Sequence, residues 1–111
     1  MSVFTKYESQ VIELLTAGVL NSDQVSALNS EGSVVSYKYT GHGYFLTVNH
    51  PSLPIPRTVC SQPIVTGCIG DYVAGFVLFL GDHQLTFECY TLGENEIPSN
   101  FRELEVQISA A

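Results

Sequence analysis

The stretch from Tyr72 to Leu92, Tyr-Val-Ala-Gly-Phe-Val-Leu-Phe-Leu-Gly-Asp-His-Gln-Leu-Thr-Phe-Glu-Cys-Tyr-Thr-Leu, constrains the fold of this chain more than any other. Its first part, 73–80, is continuously apolar. That pattern suits a strand covered on both faces and is too short for a comfortable buried helix. Gly81-Asp82-His83-Gln84 then reads as a tight turn, in which Gly81 can take positive φ and Asp82 can bond its own backbone. The second part alternates. Leu85, Phe87, Cys89 and Thr91 fall on one face and Thr86, Glu88 and Tyr90 on the other, so one side belongs to a core and the other stays open. The stretch is therefore a β-hairpin, with Phe76, Leu78, Leu85 and Phe87 expected inside.

Around the hairpin the rest of the chain supplies a helix and more strands. Thr5-x-x-Glu8 has the spacing of a capping box, and Phe4, Tyr7, Val11, Leu14 and Leu15 recur at helical intervals, so an amphipathic helix opens the fold. Gly18 suits its stop. Ser22 is placed to cap a second, shorter helical segment over 23–28, leading into the turn Asn29-Ser30-Glu31-Gly32. From Ser33 the residues become β-branched and aromatic. Val35, Tyr37 and Tyr39 alternate with Val34, Ser36 and Lys38, as in a half-buried strand. Gly41-His42-Gly43 interrupts it and 44–48 resumes it, either as a hairpin or as one long strand with a glycine bulge. Pro51, Pro54 and Pro56 make the next segment a stiff extended loop. Strands are expected at 57–60, at 62–69 and, by the alternation of Leu104, Val106 and Ile108, at 104–108. The expectation is a single α+β domain over 1–111: one N-terminal helix, with a second short one, packed on a mostly antiparallel sheet of about five or six strands.

Composition narrows the function. At 111 residues and 45% apolar content the chain can bury its own core without metal or disulfide. The eight-residue apolar run falls far short of the roughly 20 residues a membrane-spanning helix needs. The N-terminus carries no apolar secretory core, and Cys60, Cys68 and Cys89 are odd in number without Cys-x-x-Cys spacing, so a cytoplasmic protein with reduced, core-type cysteines is expected. Lys6, Lys38, Arg57 and Arg102 stand against eleven acidic residues, a net charge of −7. That charge repels nucleic acid; it is read either as a device for solubility or, more sharply, as a match for a basic protein partner.

Residues of catalytic type read against chemistry. His42, His50 and His83 lie on three different loops with no zinc spacing, so no metal is expected. Gly41-x-Gly43 lacks the context of a nucleotide-binding fingerprint, and no cofactor is expected. Cys89 shares the inward face with Leu85 and Phe87, where a thiol is inert. The candidate residues for function are Glu88 and Tyr90 on the hairpin, and Glu94 and Glu96 on the polar loop after it; they form either a surface that binds a protein partner or simply a solvated sheet face, which the helix could also cover. Glu8 and Glu31 are expected to be peripheral.

Several motifs, Gly43-Tyr44-Phe45-Leu46-Thr47, His50-Pro51-x-Leu53-Pro54, Gly75-Phe76-Val77-x-Phe79, Leu85-Thr86-Phe87-Glu88-Cys89-Tyr90 and Pro98-x-x-Phe101-Arg102, together resemble a family of small acidic bacterial proteins. These are the immunity proteins encoded beside polymorphic toxins, such as those of contact-dependent growth inhibition systems. The resemblance spans residues 33–102. It implies a non-enzymatic antidote that binds and neutralises a cognate toxin domain, often a nuclease. The alternative from another class is a small structural or interaction module that forms homo-oligomers through its sheet.

Overall fold

The structure, a computed structural model, describes residues 3–110 and is an α+β fold with two helices on one side of a seven-stranded antiparallel sheet. Helix α1 (Lys6–Leu15) and helix α2 (Ser22–Glu31) precede all the strands: β1 (Ser33–Tyr39), β2 (Gly43–Asn49), β3 (Thr58–Cys60), β4 (Val65–Ile69), β5 (Tyr72–Gly81), β6 (Gln84–Thr91) and β7 (Gln107–Ala110). The strands lie in the order β1-β2-β6-β5-β4-β7. The long β5 is flanked on one side by β6 and on the other by two short strands in succession, β4 along Tyr72 to Gly75 and β3 along Leu78 to Leu80.

The central hairpin is β5–β6, and its inward set is as the alternation requires: Phe76, Leu78, Leu80, Leu85, Phe87 and Cys89 are buried. Its tight turn takes left-handed geometry at Asp82 (φ 54°) and His83 (φ 60°), the pair of positive angles of a two-residue hairpin whose twist matches its strands. The strain falls on these two residues, and Gly81 pairs with Gln84 beneath them. The proline-rich loop holds the turn in place. Prolines donate nothing but their neighbourhood still offers carbonyls, and Pro54 and Ile55 accept from the His83 and Asp82 backbone N–H groups at 3.1 and 2.9 Å. His83 Nδ1 donates to the Leu53 carbonyl at 2.7 Å, which assigns its proton to that nitrogen.

Several boundaries differ from the expectation. Helix α1 stops at Leu15, before Gly18. The Thr16 hydroxyl donates to the Ile12 carbonyl at 2.6 Å and ends the helix, while Gly18 (φ 82°) serves the turn beyond. Helix α2 is longer than 23–28 and is capped by Asn21, not Ser22. Asn21 Oδ1 accepts from the Gln24 N–H at 2.8 Å, and Gln24 Oε1 accepts from the Asn21 N–H at 2.9 Å, a full capping box. The Gly41-His42-Gly43 interruption is a hairpin turn, with β1 and β2 paired on either side.

Strand β1 is exposed along its whole length rather than half-buried, because it is the sheet's edge and α1 packs over β4, β5 and β7. A bulge between Val34 and Ser36 leaves Val35 as the extra residue and sets Tyr37 and Tyr39 opposite Leu46 and Tyr44. At the other end of the chain, Leu104, Val106 and Ile108 do turn toward the core, but the last strand begins only at Gln107, where the chain reaches β4. A 3-10 turn (Phe101–Glu103) precedes it. Alternation reports which way side chains face, and pairing needs a neighbour as well.

Candidate protein-binding surface

The two helices cover one face of the sheet, and among the described residues no element covers the other face. Its side chains form rows across the strands, set by the register. One row runs Lys38, Phe45, Glu88, Val77 across β1, β2, β6 and β5. The next runs Ser36, Thr47, Thr86, Phe79, Val59, with the Thr47 and Thr86 hydroxyls bonded at 2.9 Å. A third passes through Gly43, Tyr90, Gly75 and Thr66. Directly opposed residues on adjacent strands hold their Cβ atoms about 4.5–5.5 Å apart. Phe45 and Val77 therefore stand on either side of the Glu88 carboxylate.

Among the described residues Glu88 makes no ion pair, and partial burial alone raises its carboxyl above the ordinary carboxylate range. An apolar setting disfavours the charge, and no cation answers it. Phe45, Phe79, Val59 and Tyr90 add exposed apolar surface around it.

Tyr90 lies flat on the sheet. A Cβ on Gly75 would fall 2.6–2.7 Å from the Tyr90 ring atoms Cζ and Cε2 and from its hydroxyl, so the ring occupies the space that glycine leaves free. This is the aromatic covering of a strand glycine, a device that shields backbone and pins register. Glu96 stands at the same end of the sheet, with its carboxylate against Gly41 in the β1–β2 turn. Its loop is anchored there: the Ile97 N–H donates to the Gly41 carbonyl at 3.0 Å, and the Tyr39 hydroxyl donates to the Ile97 carbonyl. Glu94 is exposed on that loop. Glu88 is at mid-strand and the loop acids are at the sheet end, with Tyr90 between them along β6.

The cysteines separate. Cys60 and Cys89 are buried, and burial pushes both thiols up, which keeps them protonated. Cys68 is exposed on the open face, opposite Val73, and corrects the reading of all three as core residues. His50 and His83 come to one end of the sheet, where the His50 N–H donates to the His83 carbonyl at 3.1 Å. His50 Nδ1 accepts from the Ser52 N–H at 3.0 Å and Nε2 faces Glu31 at 3.4 Å. Among the described residues no three side chains of metal-ligating type gather at one point.

Sequence reasoning missed a polar cluster inside the core. Glu8 is fully buried, which corrects its assignment as a peripheral acid. Its Oε1 accepts from the Thr5 N–H at 2.9 Å and from Arg102 Nη2 at 2.8 Å, and its Oε2 accepts from Arg102 Nε at 2.7 Å and from the Tyr44 hydroxyl. Tyr44 has one proton and spends it on Glu8, so the Tyr7 hydroxyl is the donor in the Tyr7–Tyr44 bond. Arg102 Nη2 also reaches the Val3 carbonyl at 2.9 Å, and its guanidinium lies 5.7 Å from the centroid of the Tyr37 ring. The carboxylate is thus saturated by four donors, the condition under which a buried charge is tolerated.

No protein-family model, curated protein or solved structure matches the chain significantly. The functional reading therefore rests on the geometry and on the charge. Among the described residues no helix is long and apolar enough to cross a membrane.

Proposed function

We propose that this protein works by binding another protein, a basic domain of the bacterial toxin type, through the uncovered sheet face, and that it acts in the bacterial cytoplasm as an immunity protein rather than as an enzyme. The carrying observation is Glu88, which among the described residues has no counter-ion and stands between Phe45 and Val77 on a face that no described element covers. Tyr90 lies two residues along β6 on the same face, and Glu94 and Glu96 lie on the loop at the sheet end. The net charge of −7 speeds capture of a cationic domain, by roughly 10- to 1000-fold at low salt. Affinity then comes from a few desolvated contacts, and a carboxylate bonded to a partner cation in such a site costs about 2–5 kcal/mol to truncate.

The test is binding kinetics against any toxin domain whose gene neighbours that of this protein. Glu88→Ala and Tyr90→Ala are expected to speed dissociation, and Glu31→Ala, at the far end of α2, to change little. Absence of a complex at micromolar concentration, or a salt-independent association unaffected by both substitutions, overturns the reading. A second reading, a self-associating module, draws on the exposed β1 edge with Val34, Val35, Tyr37 and Tyr39. Lys38 and the bulge after Val34 are the devices by which natural edges resist pairing, so we rank it second. A monomer in sedimentation at high concentration removes it.

A further inference from the structure

The two sides of the sheet carry related arrangements, one complete and one lacking a member. On the helix side, the Glu8 carboxylate takes the Arg102 guanidinium through two nitrogens at 2.7 and 2.8 Å, and the Tyr37 ring flanks the same guanidinium at 5.7 Å. On the open side, Glu88 stands directly opposite Phe45, with Val77 on its other flank. There an acid and an aromatic ring are neighbours, and among the described residues no cation joins them. Lys38 is the next residue in that row beyond Phe45, and among the described residues it forms no ion pair with Glu88.

We propose that Glu88 and Phe45 form a subsite for an arginine side chain of the protein partner, with the guanidinium bonded to the Glu88 carboxylate and its plane against the Phe45 ring. The inference rests on the reading of this face as a binding surface and names the group it receives. Arginine fits better than lysine for three physical reasons. Its planar fork matches a carboxylate bidentately, its flat face stacks on an aromatic ring, and it sheds water more readily than an ammonium. Charge complementarity supplies the direction: the chain carries −7, and Glu88 lies in surroundings that disfavour its unpaired charge, so an incoming cation relieves that penalty. Around the pair, Phe79 and Val59 in the adjacent row and Tyr90 two residues along β6 give an apolar rim able to exclude water from the contact.

The test uses a probe that does not depend on the partner. N-acetyl-arginine methylamide and its lysine counterpart are titrated to tens of millimolar into the isotope-labelled full chain, and amide shifts are followed by NMR. The arginine compound is expected to give saturable shifts centred on Phe45, Val77 and Glu88, with the lysine compound several-fold weaker. Glu88→Gln should abolish the response to both. Phe45→Leu should bring arginine down to the level of lysine, and the dispersion of each variant's spectrum reports that it is folded. Shifts centred elsewhere, equal responses to the two compounds, or an undiminished response in Glu88→Gln each overturn the subsite. A failed titration leaves toxin binding by the face to be judged on its own kinetics, and failure to bind a toxin leaves the titration result intact, so the two ideas fall separately.

Discussion

Glu8 and Arg102, separated by 94 positions, meet inside the molecule in a two-pronged ion pair at 2.7 and 2.8 Å. The pair ties the first turn of α1 to the 3-10 turn before β7, and through Tyr44 it ties both to β2. Removing Arg102 leaves the fully buried Glu8 charge without its cation, and removing Glu8 leaves a half-buried guanidinium without its carboxylate. Arg102→Ala is therefore expected to cost about 3–5 kcal/mol, and Glu8→Ala somewhat less because Arg102 keeps contact with water. Arg102→Lys keeps the charge but loses the fork, and should recover only part of the loss. Chemical denaturation measures each. A cost below about 1 kcal/mol for Arg102→Ala would mean that water reaches Glu8 and that the pair behaves as a surface ion pair.

The β5–β6 hairpin is legible because period-two alternation at Leu85, Phe87 and Cys89 is local, and burial follows it directly. Glu8 was visible only as the end of a capping box, a role that a surface glutamate fills equally well. Its phase was the available signal: Glu8, Ile12 and Leu15 share a helix face, and all three are buried. The pairing itself joins residues at opposite ends of the chain, and no local pattern encodes that. The same limit hid the fully exposed state of β1, since its aromatic alternation says nothing about how far the helix layer extends. On the open face, the outward set Thr86, Glu88 and Tyr90 was legible from alternation, while the flanking Phe45 and Val77 depended on the register of two further strands.

Tyr44→Phe removes the hydroxyl that donates to Glu8 and accepts from Tyr7. A hydrogen bond to a charged group is worth about 1.5–3 kcal/mol, so a loss near 2 kcal/mol is expected. The same cluster sets an alkaline limit. Burial, first, and the Glu8 charge raise the Tyr44 hydroxyl far above the ordinary value of 10.0, and burial likewise raises Tyr7. Groups raised on folding contribute stability that is complete below their unfolded value and lost as pH climbs above it. Stability should thus hold to about pH 10 and fall steeply beyond, and Tyr44→Phe should flatten that fall. A wild-type curve still level well above pH 10 would refute the burial of these hydroxyls.

Phe87 joins the two halves of the core, stacked on Tyr44 at 5.9 Å between ring centres and tilted against Phe76 at 5.6 Å. It is fully buried. Phe87→Ala is expected to cost about 3–5 kcal/mol through lost burial plus the cavity left behind, a large share of the 5–15 kcal/mol typical of a whole domain. Urea denaturation that shows less than about 1 kcal/mol would place the core elsewhere.

Glu88 gives a pH dependence of the opposite kind from a salt-bridged acid. Its folded carboxyl is raised by burial, so the stability it contributes is present below the unfolded value and lost as pH rises through the folded one. At neutral pH its charge is a burden, and Glu88→Gln should be at least as stable as the parent. The difference should shrink as pH falls through the carboxylate range. Denaturation of both proteins from pH 7 down to pH 4 checks it. A variant whose advantage grows on acidification would show that Glu88 has a cationic partner in the free protein.

The glycines facing β6 separate a tolerated substitution from an intolerable one. At Gly43 a Cβ would lie 1.8 Å from the Cys89 carbonyl oxygen, part of the backbone it pairs with, and nothing there can yield without parting β2 from β6. Gly43→Ala should cost at or above the top of the roughly 1–3 kcal/mol usual for overpacking. At Gly75 the obstruction is the far end of the Tyr90 ring, which can swing away. Gly75→Ala also restricts the unfolded chain, which offsets part of the loss, so a net change within about 1 kcal/mol is expected. The consequence falls on the open face: Tyr90 is lifted off the sheet, and the rim beside Glu88 changes shape. In the parent protein the ring current of Tyr90 should shift the Gly75 α-protons upfield, and Tyr90→Ala should abolish that shift. If Gly75→Ala weakens binding of the proposed partner while leaving stability within the stated range, the flat ring is part of the contact surface. If Gly43→Ala proves as mild as Gly75→Ala, the β2–β6 register that sets Phe45 opposite Glu88 is wrong, and the proposed arginine subsite goes with it.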